Sequence, residues 1–246
     1  MGFLTAVTGK GGVGKTTVCA LLVKGLIAAG KSPVLALDAD PNSCLDQALG
    51  VAVTETVGRA REDLKISGDA GISKRERLRI KIEQGIVEAS GFDLIAMGRP
   101  EGAGCYCYAN SILKEVINEI SASYPQVVID NEAGLENLSR RIVARAELMI
   151  FVSDASNAGL TTLLRLHELA GEMDLSYGRL AVVINKMRGE TLPERFLEIK
   201  NKINANHVIG LPYDDEIALF SEENKNFLEL SEQNKTYLKI KELIDF

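Results

Sequence analysis

Gly9-Lys10-Gly11-Gly12-Val13-Gly14-Lys15-Thr16-Thr17 is the stretch of sequence that decides the fold. A short apolar run, Leu4 to Thr8, precedes it, and a helical pattern from Thr16 to Ala29 follows it. The glycines let successive backbone N–H groups turn towards phosphate oxygens, and the positive end of the helix dipole adds to that attraction. The stretch matches G-x-x-x-x-G-K-[ST], so the sequence predicts a loop that holds the phosphates of a nucleotide.

The side chains of this loop have distinct expected roles. Lys15 is expected to lie against the β- and γ-phosphates, and the Thr16 hydroxyl is expected to ligate Mg²⁺. The remaining nucleotide contacts are expected from Gly11, Gly12, Val13, Gly14 and Thr17. The alternative is an ordinary glycine turn, which requires neither the lysine nor the hydroxyl.

Short apolar segments recur along the chain, with helical patterns such as Asn110–Ser123 and Leu160–Gly171 between them. The further strand candidates are Pro33–Leu37, Phe92–Met97, Gln126–Ile129, Leu148–Val152, Leu180–Ile184 and Val208–Gly210. Continuous apolar strands separated by helices indicate an α/β fold. We expect a P-loop NTPase fold, with a mostly parallel sheet of about seven or eight strands and helices on both faces, in one domain over residues 1–246. The charged stretch Thr54–Glu88 predicts two surface helices over one edge of the sheet, with a mobile cap over the nucleotide as the alternative.

Composition narrows the possible functions. The 246 residues carry a formal net charge of -6, which disfavours non-specific binding to nucleic acid or to anionic membranes. No apolar run approaches the length of a membrane span, and the N-terminus does not resemble a signal peptide. Four cysteines are too few for a disulfide scaffold, so a cytoplasmic protein is expected.

Carboxylates stand at the ends of two of the predicted strands. Asp130 ends the apolar run Val127-Val128-Ile129, the Walker B pattern, and is expected to act on Mg²⁺ through a water molecule. Asp38 and Asp40 end the second strand, where ligands bind in parallel sheets, although capping of the next helix is an alternative for either. The segment that follows Asp130, from Asn131 to Gly134, looks like one that senses the γ-phosphate.

Cys105 and Cys107 form a C-x-C in a polar, glycine-rich loop. Thiolates are soft ligands for nickel, zinc, copper(I) or iron–sulfur clusters. Two ligands do not close a metal site, but a homodimer that brings two such pairs together on its axis supplies four. The alternatives are simple packing and a redox pair. The other cysteines, Cys19 and Cys44, are expected to pack, and His167 and His207 are expected to be structural or surface residues.

The octapeptide that begins at Lys10 resembles the deviant Walker A sequence of the MinD/ParA/nitrogenase-iron-protein class. The resemblance implies that Lys10 reaches the partner's phosphates across a nucleotide-sandwich dimer and that Asp40 positions the attacking water. It also implies that Asp38 supports Mg²⁺ and that Asn185 recognises adenine, which needs both a donor and an acceptor. The neighbouring Lys186, and Pro212 in a second loop that runs to Asp214, are then expected to contribute to binding of ATP and ADP. An Asn-containing turn is the alternative for Asn185.

Within that class the chain is most similar to the nickel-insertion accessory ATPases of carbon monoxide dehydrogenase and acetyl-CoA synthase, the CooC/AcsF type. The similarity rests on the phosphate loop, Asp40-Pro41-Asn42-Ser43-Cys44-Leu45, Cys105-Tyr106-Cys107, Asp130 with Ala133-Gly134, and Ile184-Asn185-Lys186. It implies an ATPase homodimer that holds Ni²⁺ or Zn²⁺ on its paired cysteines and serves one of those two enzymes as client. Two alternatives remain, a ParA/MinD-like spatial regulator and an iron–sulfur-dependent reductase component. The reductase family has a second cluster cysteine just after the Walker B strand, and this chain has no cysteine between Asn131 and Arg145.

Overall fold

The eight strands of the computed structural model form one sheet in the order β3-β4-β2-β5-β1-β6-β7-β8. The structure describes residues 2–66, 71–98, 107–133 and 145–246, and their side chains except those of residues 61, 63–66 and 107–113. The strands are β1 (Phe3–Gly9), β2 (Val34–Asp38), β3 (Val87–Glu88), β4 (Phe92–Ala96), β5 (Gln126–Asp130), β6 (Arg145–Asp154), β7 (Ser176–Met187) and β8 (His207–Pro212).

All neighbouring strands are parallel except the edge pair β3 and β4. This arrangement confirms the predicted fold class, a mostly parallel sheet covered by helices. The edge strand β3 was not predicted because two partly exposed residues carry no apolar run. The central β1 lies between β5 and β6, and the carboxyl ends of these strands meet at one edge of the sheet. That edge carries the phosphate loop.

The predicted helical segments Thr16–Ala29, Asn110–Ser123 and Leu160–Gly171 are all present, within a few residues of their expected bounds. The structure describes these and further helices. They are α1 (Lys15–Ala28), α2 (Leu45–Ala48), α3 (Val57–Ile66), α4 (Lys74–Gln84), α5 (Cys107–Ser121), α6 (Asn157–Glu172), α7 (Glu194–Lys202), α8 (Asp215–Glu222) and α9 (Lys235–Lys241). In the charged stretch, α3 and α4 are the two predicted helices, and Arg75 of α4 pairs with Glu115 and Glu119 of α5. Two helix starts lie three residues before the predicted ones, because α5 begins at Cys107 rather than at Asn110 and α6 begins at Asn157 rather than at Leu160. Within the described ranges, no helix combines the length and the apolar character needed to cross a membrane.

The sheet has a separate apolar layer on each face, because successive strand residues point to opposite sides. Leu4 and Ala6 of β1 belong to one layer, whereas Val7 belongs to the other, together with most of α1. The C-terminal helix α9 packs on α1 in this second layer, with Tyr237 and Ile240 fully buried. Gly25 of α1 allows this close approach, since a Cβ atom there would lie 2.2 Å from Cδ1 of Ile244.

Candidate nucleotide site

The phosphate loop joins β1 to α1 and contains two glycines in left-handed conformations. Gly12 has φ 77° and Gly14 has φ 96°, a region that residues with a side chain rarely adopt. Lys15 is buried, and its Nζ donates a hydrogen bond to the carbonyl oxygen of Lys10 at 3.3 Å. The lysine is therefore held inside the loop, where its charge faces the space between the backbone N–H groups.

Thr16 and Asp130 meet across 114 residues of sequence. The Thr16 hydroxyl donates to Oδ2 of Asp130 at 2.6 Å, because β5 lies directly beside β1 in the sheet. The other oxygen, Oδ1, is buried and has no hydrogen-bond partner among the described residues. Burial raises the pKa of Asp130 to about 6, even though the Thr16 hydroxyl and the Lys15 charge both oppose the rise. A buried carboxylate oxygen that needs a partner, beside a hydroxyl, fits the oxygen ligands and ligand-bound waters that Mg²⁺ requires.

Asp38 is fully buried and is bonded to the backbone that follows it. Its two oxygens accept hydrogen bonds from the N–H groups of Asp40 and Leu45, both at 3.0 Å. Burial raises the pKa of the Asp38 carboxyl to about 7, although these two hydrogen bonds lower it. Since Leu45 is the first residue of α2, Asp38 holds the start of that short helix as well as the end of β2.

Asp40 lies in the same open space as the phosphate loop. A cavity of about 430 Å³ is lined by Lys15, Thr16, Asp40 and Glu132, together with glycines of the loop. Oδ1 of Asp40 accepts the N–H of Asn42 at 2.8 Å, which fixes the direction of the carboxylate. Two acidic side chains, Asp40 and Glu132, thus line the cavity with one lysine and one hydroxyl, a set suited to a nucleotide phosphate with a bound cation.

A second cavity, of about 300 Å³, lies beside the loop at the ends of β7 and β8. Asn185 reaches the phosphate loop, since its Nδ2 donates to the carbonyl oxygen of Val13 at 2.8 Å. Lys186 adopts a positive φ of 55° and donates from Nζ to the carbonyl oxygen of Gly12 at 2.9 Å. The wall also includes Thr17, Pro212, Tyr213, Asp214, Ile217 and Thr236. The structure therefore brings together Gly14, Thr17, Asn185, Lys186 and Pro212, which the sequence analysis named separately.

Lys10 is exposed at the rim of the loop, near the end of β6. There the pKa of Asp154 is lowered, first by hydrogen bonds from Ser156 and then by the charges of Lys10 and Lys186. This position leaves the Lys10 side chain accessible to a second protein chain. Its role across a dimer stays a prediction.

The metal prediction rests on residues that the structure describes little or not at all. Cys105 lies outside the described residues, and only the backbone of Cys107 is described. In the described part of the chain, no group of three or more His, Cys, Asp or Glu residues is arranged to hold a metal ion. Cys19 is buried as expected, whereas the prediction that Cys44 packs was wrong. Cys44 is exposed because it stands immediately before α2, in the turn that Asp38 and Asp40 form.

Thr236 is a residue of the second cavity that the sequence did not reveal. It lies in α9, far along the chain from the loops that form the other walls, and no local pattern marks it. Its neighbour in space, Asp214, was included only as the last residue of the second base loop.

The model of the CobQ/CobB/MinD/ParA nucleotide-binding domain matches residues 4–227. The chain belongs to this nucleotide-binding family. The match spans the phosphate loop, Asp38, Asp40, Asp130 and Asn185, and it ends before Thr236 of the second cavity. The family assignment agrees with the first part of the sequence interpretation, a P-loop ATPase of the MinD/ParA class.

Several relatives of this CobQ/CobB/MinD/ParA family member are similar over most of its length. An uncharacterized ATP-binding protein of Methanocaldococcus jannaschii is 42% identical over 98% of this chain and 97% of its own. The carbon monoxide dehydrogenase accessory protein CooC of Rhodospirillum rubrum is 29% identical over 92% of this chain and 89% of its own. The maintenance of carboxysome distribution protein A of Synechococcus elongatus is 30% identical over 69% of this chain and 65% of its own.

Among solved structures, the septum site-determining protein MinD of Pyrococcus horikoshii, in complex with Mg-ADP, has the same fold. The two superpose with a TM-score of 0.68, at 22% identity, over 100% of this chain and 96% of that one. At this identity the similarity concerns the fold alone.

Proposed function

We propose that this protein is a Mg²⁺-dependent ATPase that works as a homodimer, holds a divalent metal on Cys105 and Cys107, and delivers nickel to carbon monoxide dehydrogenase or acetyl-CoA synthase. The observation that carries the proposal is the similarity to CooC over nine-tenths of the chain, combined with the C-x-C in the segment before Asp130. The proposal treats residues 1–246 as one domain.

The two cavities accommodate the two halves of ATP. The phosphates take the place of the Lys10 carbonyl as partner of Lys15, with the backbone N–H groups of Gly11 to Thr16 around them. The base occupies the second cavity, where Asn185 offers a carbonyl oxygen and an amide to an adenine edge. The Thr16 hydroxyl and, through water, Asp130 and Asp38 would hold Mg²⁺, which would supply positive charge against the negative charge that develops on the phosphates.

Hydrolysis of ATP needs a water placed in line with the γ-phosphate. Asp40 is suited to this, because it lines the phosphate cavity and its Oδ1 is held by the N–H of Asn42. Its charge draws a proton of the water towards it, while Lys15 stabilises the charge on the transferred phosphoryl group. Lys10 of the partner supplies a second positive charge only when two subunits face each other, so turnover depends on dimerisation.

The metal is the cargo of this cycle. Each subunit contributes two thiolates, and the pair of subunits completes a four-sulfur site at the dimer axis. The helix that begins at Cys107 runs back along the sheet to Ser121, a few residues before β5 and Asp130. A change at the γ-phosphate that moves the ends of β5 and α5 relative to each other alters the distance between the two cysteine pairs.

A second candidate is a spatial regulator of the ParA or MinD kind. It is favoured by the 30% identity to the maintenance of carboxysome distribution protein A. Against a membrane-binding role stands the packing of α9, in which Tyr237 and Ile240 are buried against the body of the protein and only Leu238 of its large apolar residues is exposed. The net charge of -6 disfavours a DNA-binding role of the non-specific kind.

The test is a titration of reduced protein with Ni²⁺ and with Zn²⁺ under anaerobic conditions, with particle mass measured with and without Mg-ATP. Wild type is compared with Cys105→Ala/Cys107→Ala and with Cys44→Ala, a control that removes an exposed thiol outside the pair. The expected result is one metal per dimer in wild type and in the control, and none bound tightly by the double variant. Failure of wild type to bind either metal, in the presence or absence of nucleotide, would overturn the metal-delivery proposal and favour the spatial regulator.

A further inference from the structure

We infer that the C-terminal helix α9 forms part of the wall of the second cavity, which we call the base pocket. Asp214 is the positioning residue through which α9 sets the shape of that pocket. The inference rests on the proposed ATP-binding function of the second cavity. The α9 residues that it adds, Asn234 and Thr236, lie outside the phosphate loop and beyond the family's matched segment, which ends at residue 227.

Asp214 accepts hydrogen bonds from two directions. Its Oδ1 accepts the backbone N–H groups of Glu216 at 3.0 Å and of Ile217 at 3.1 Å, and so caps α8. Its Oδ2 accepts Nδ2 of Asn234 at 3.0 Å and the hydroxyl of Thr236 at 2.8 Å, both from the start of α9. The Asp214 carboxylate therefore links α8, which lines the base pocket, to the start of α9.

The residues at the start of α9 that bond to Asp214 are buried and make further hydrogen bonds. Asn234 is 7% exposed and Thr236 is 5% exposed. Oδ1 of Asn234 caps α9 by accepting the N–H of Tyr237 at 2.9 Å, and its Nδ2 also donates to Oε2 of Glu216 at 2.9 Å. Further along, Lys239 donates from Nζ to the carbonyl oxygen of Gly210 in β8 at 2.9 Å. These bonds fix α9 against both ends of the loop that carries Pro212 and Tyr213.

The same helix also contacts the helix that begins at the phosphate loop. Tyr237 and Ile240 lie in the apolar layer of α1, and Ile244, which follows the end of α9, lies against Gly25. The base pocket and α1 therefore share α9 as a common support. A shift of α9 moves the wall formed by Asp214, Ile217 and Thr236 relative to Thr17 and Gly14 on the opposite side.

The two oxygens of Asp214 have different partners, so a substitution can disturb the bonds to α9 and keep the cap of α8. In Asp214→Asn the remaining carbonyl oxygen can still cap α8, but the introduced NH₂ group faces the NH₂ group of Asn234, and two donors cannot pair. The swap Asp214→Asn/Asn234→Asp places a donor against an acceptor again, and an aspartate still caps α9. It is made together with Glu216→Gln, because Nδ2 of Asn234 also donates to Oε2 of Glu216 and a second carboxylate there would repel the first. Thr236→Val removes one bond and keeps the shape of the side chain, which provides a second variant if the first fails to fold.

The experiment measures the affinities of the full chain for Mg-ATP and for Mg-tripolyphosphate, which has the phosphates but no base. We expect Asp214→Asn and Thr236→Val to weaken Mg-ATP binding by about fivefold to tenfold, which lies within the range for loss of one typical intramolecular hydrogen bond. Mg-tripolyphosphate binding should not change, and the swap should restore most of the ATP affinity. Ser73→Ala, which removes the cap of α4 at a site outside both cavities, is the matched control for loss of a helix cap and should alter neither affinity.

Unchanged ATP affinity in both variants would overturn the role of α9. Equal weakening of ATP and tripolyphosphate would overturn it too, because the defect would then be a general loss of structure. If wild type binds Mg-ATP no more tightly than Mg-tripolyphosphate, the result would instead contradict the proposed adenine site.

Discussion

The hydrogen bond between Thr16 and Asp130 leads to a prediction about stability and pH. Thr16→Val keeps the β-branched shape and removes the hydroxyl, so Asp130 loses the donor that holds Oδ2 at 2.6 Å. The other oxygen already has no hydrogen-bond partner in the described structure. Loss of this hydroxyl donor from a buried carboxylate should destabilise the nucleotide-free protein by about 1.5–3 kcal/mol, the range for hydrogen bonds to charged groups.

The size of this effect should depend on pH. Asp130 has a pKa of about 6 in the folded protein, above the ordinary value of 3.8, so its contribution to stability is greatest below pH 4 and is lost as pH rises through 6. The hydroxyl favours the charged form, and its removal raises the pKa of Asp130 further. The loss of stability in the variant should therefore be larger at pH 8 than at pH 5.

Urea unfolding of wild type, Thr16→Val and Thr16→Ser, at pH 5 and pH 8 without Mg²⁺, checks this prediction. Thr16→Ser keeps the hydroxyl and should stay within about 1 kcal/mol of wild type at both pH values. Equal destabilisation of Thr16→Val at the two pH values, or greater destabilisation at pH 5, would refute the reasoning about Asp130. The same variants should show that Mg²⁺ enhancement of ATP binding is lost with valine and kept with serine.

Three further predictions concern the same site. Gly14→Ala should weaken ATP binding more than about tenfold and lower the melting temperature, because φ of Gly14 is 96° and the new Cβ would lie 2.4 Å from Nδ2 of Asn185. The control Gly171→Ala in α6 should not lower the melting temperature, because a Cβ there would have nothing within 4 Å. Lys10→Ala should leave ATP affinity of the monomer within about twofold and reduce turnover at least about tenfold, measured by phosphate release, since the lysine is exposed in one subunit. Asp40→Asn should keep ATP binding, because its oxygen can still accept the N–H of Asn42, and should abolish hydrolysis; phosphate release at the wild-type rate would contradict its role.

The cysteine segment and the C-terminal helix show which features of this chain could not be predicted from the local sequence. A helix from Asn110 was predicted by apolar spacing, but its first turn begins at Cys107, because a helix start is set by caps and neighbours as well as by periodicity. Cys44 was expected to pack as most cysteines do, yet the turn built on Asp38 and Asp40 turns it outwards. Thr236 gave no local indication of its place in a cavity wall, since that wall exists only when α8 and α9 are joined through Asp214.

The sequence by itself determined the elements whose information is local. Nine consecutive residues specify the phosphate loop, and short apolar runs separated by helical patterns specify a parallel sheet with covered faces, because glycine geometry and side-chain periodicity act within a few residues. Only the tertiary structure decided which strands are neighbours, and hence that Thr16 bonds to Asp130, that Asn185 bonds to the carbonyl oxygen of Val13, and that Asp214 holds α9. These contacts join residues far apart in the chain, and their partners are chosen by the packing of the whole sheet rather than by any local pattern.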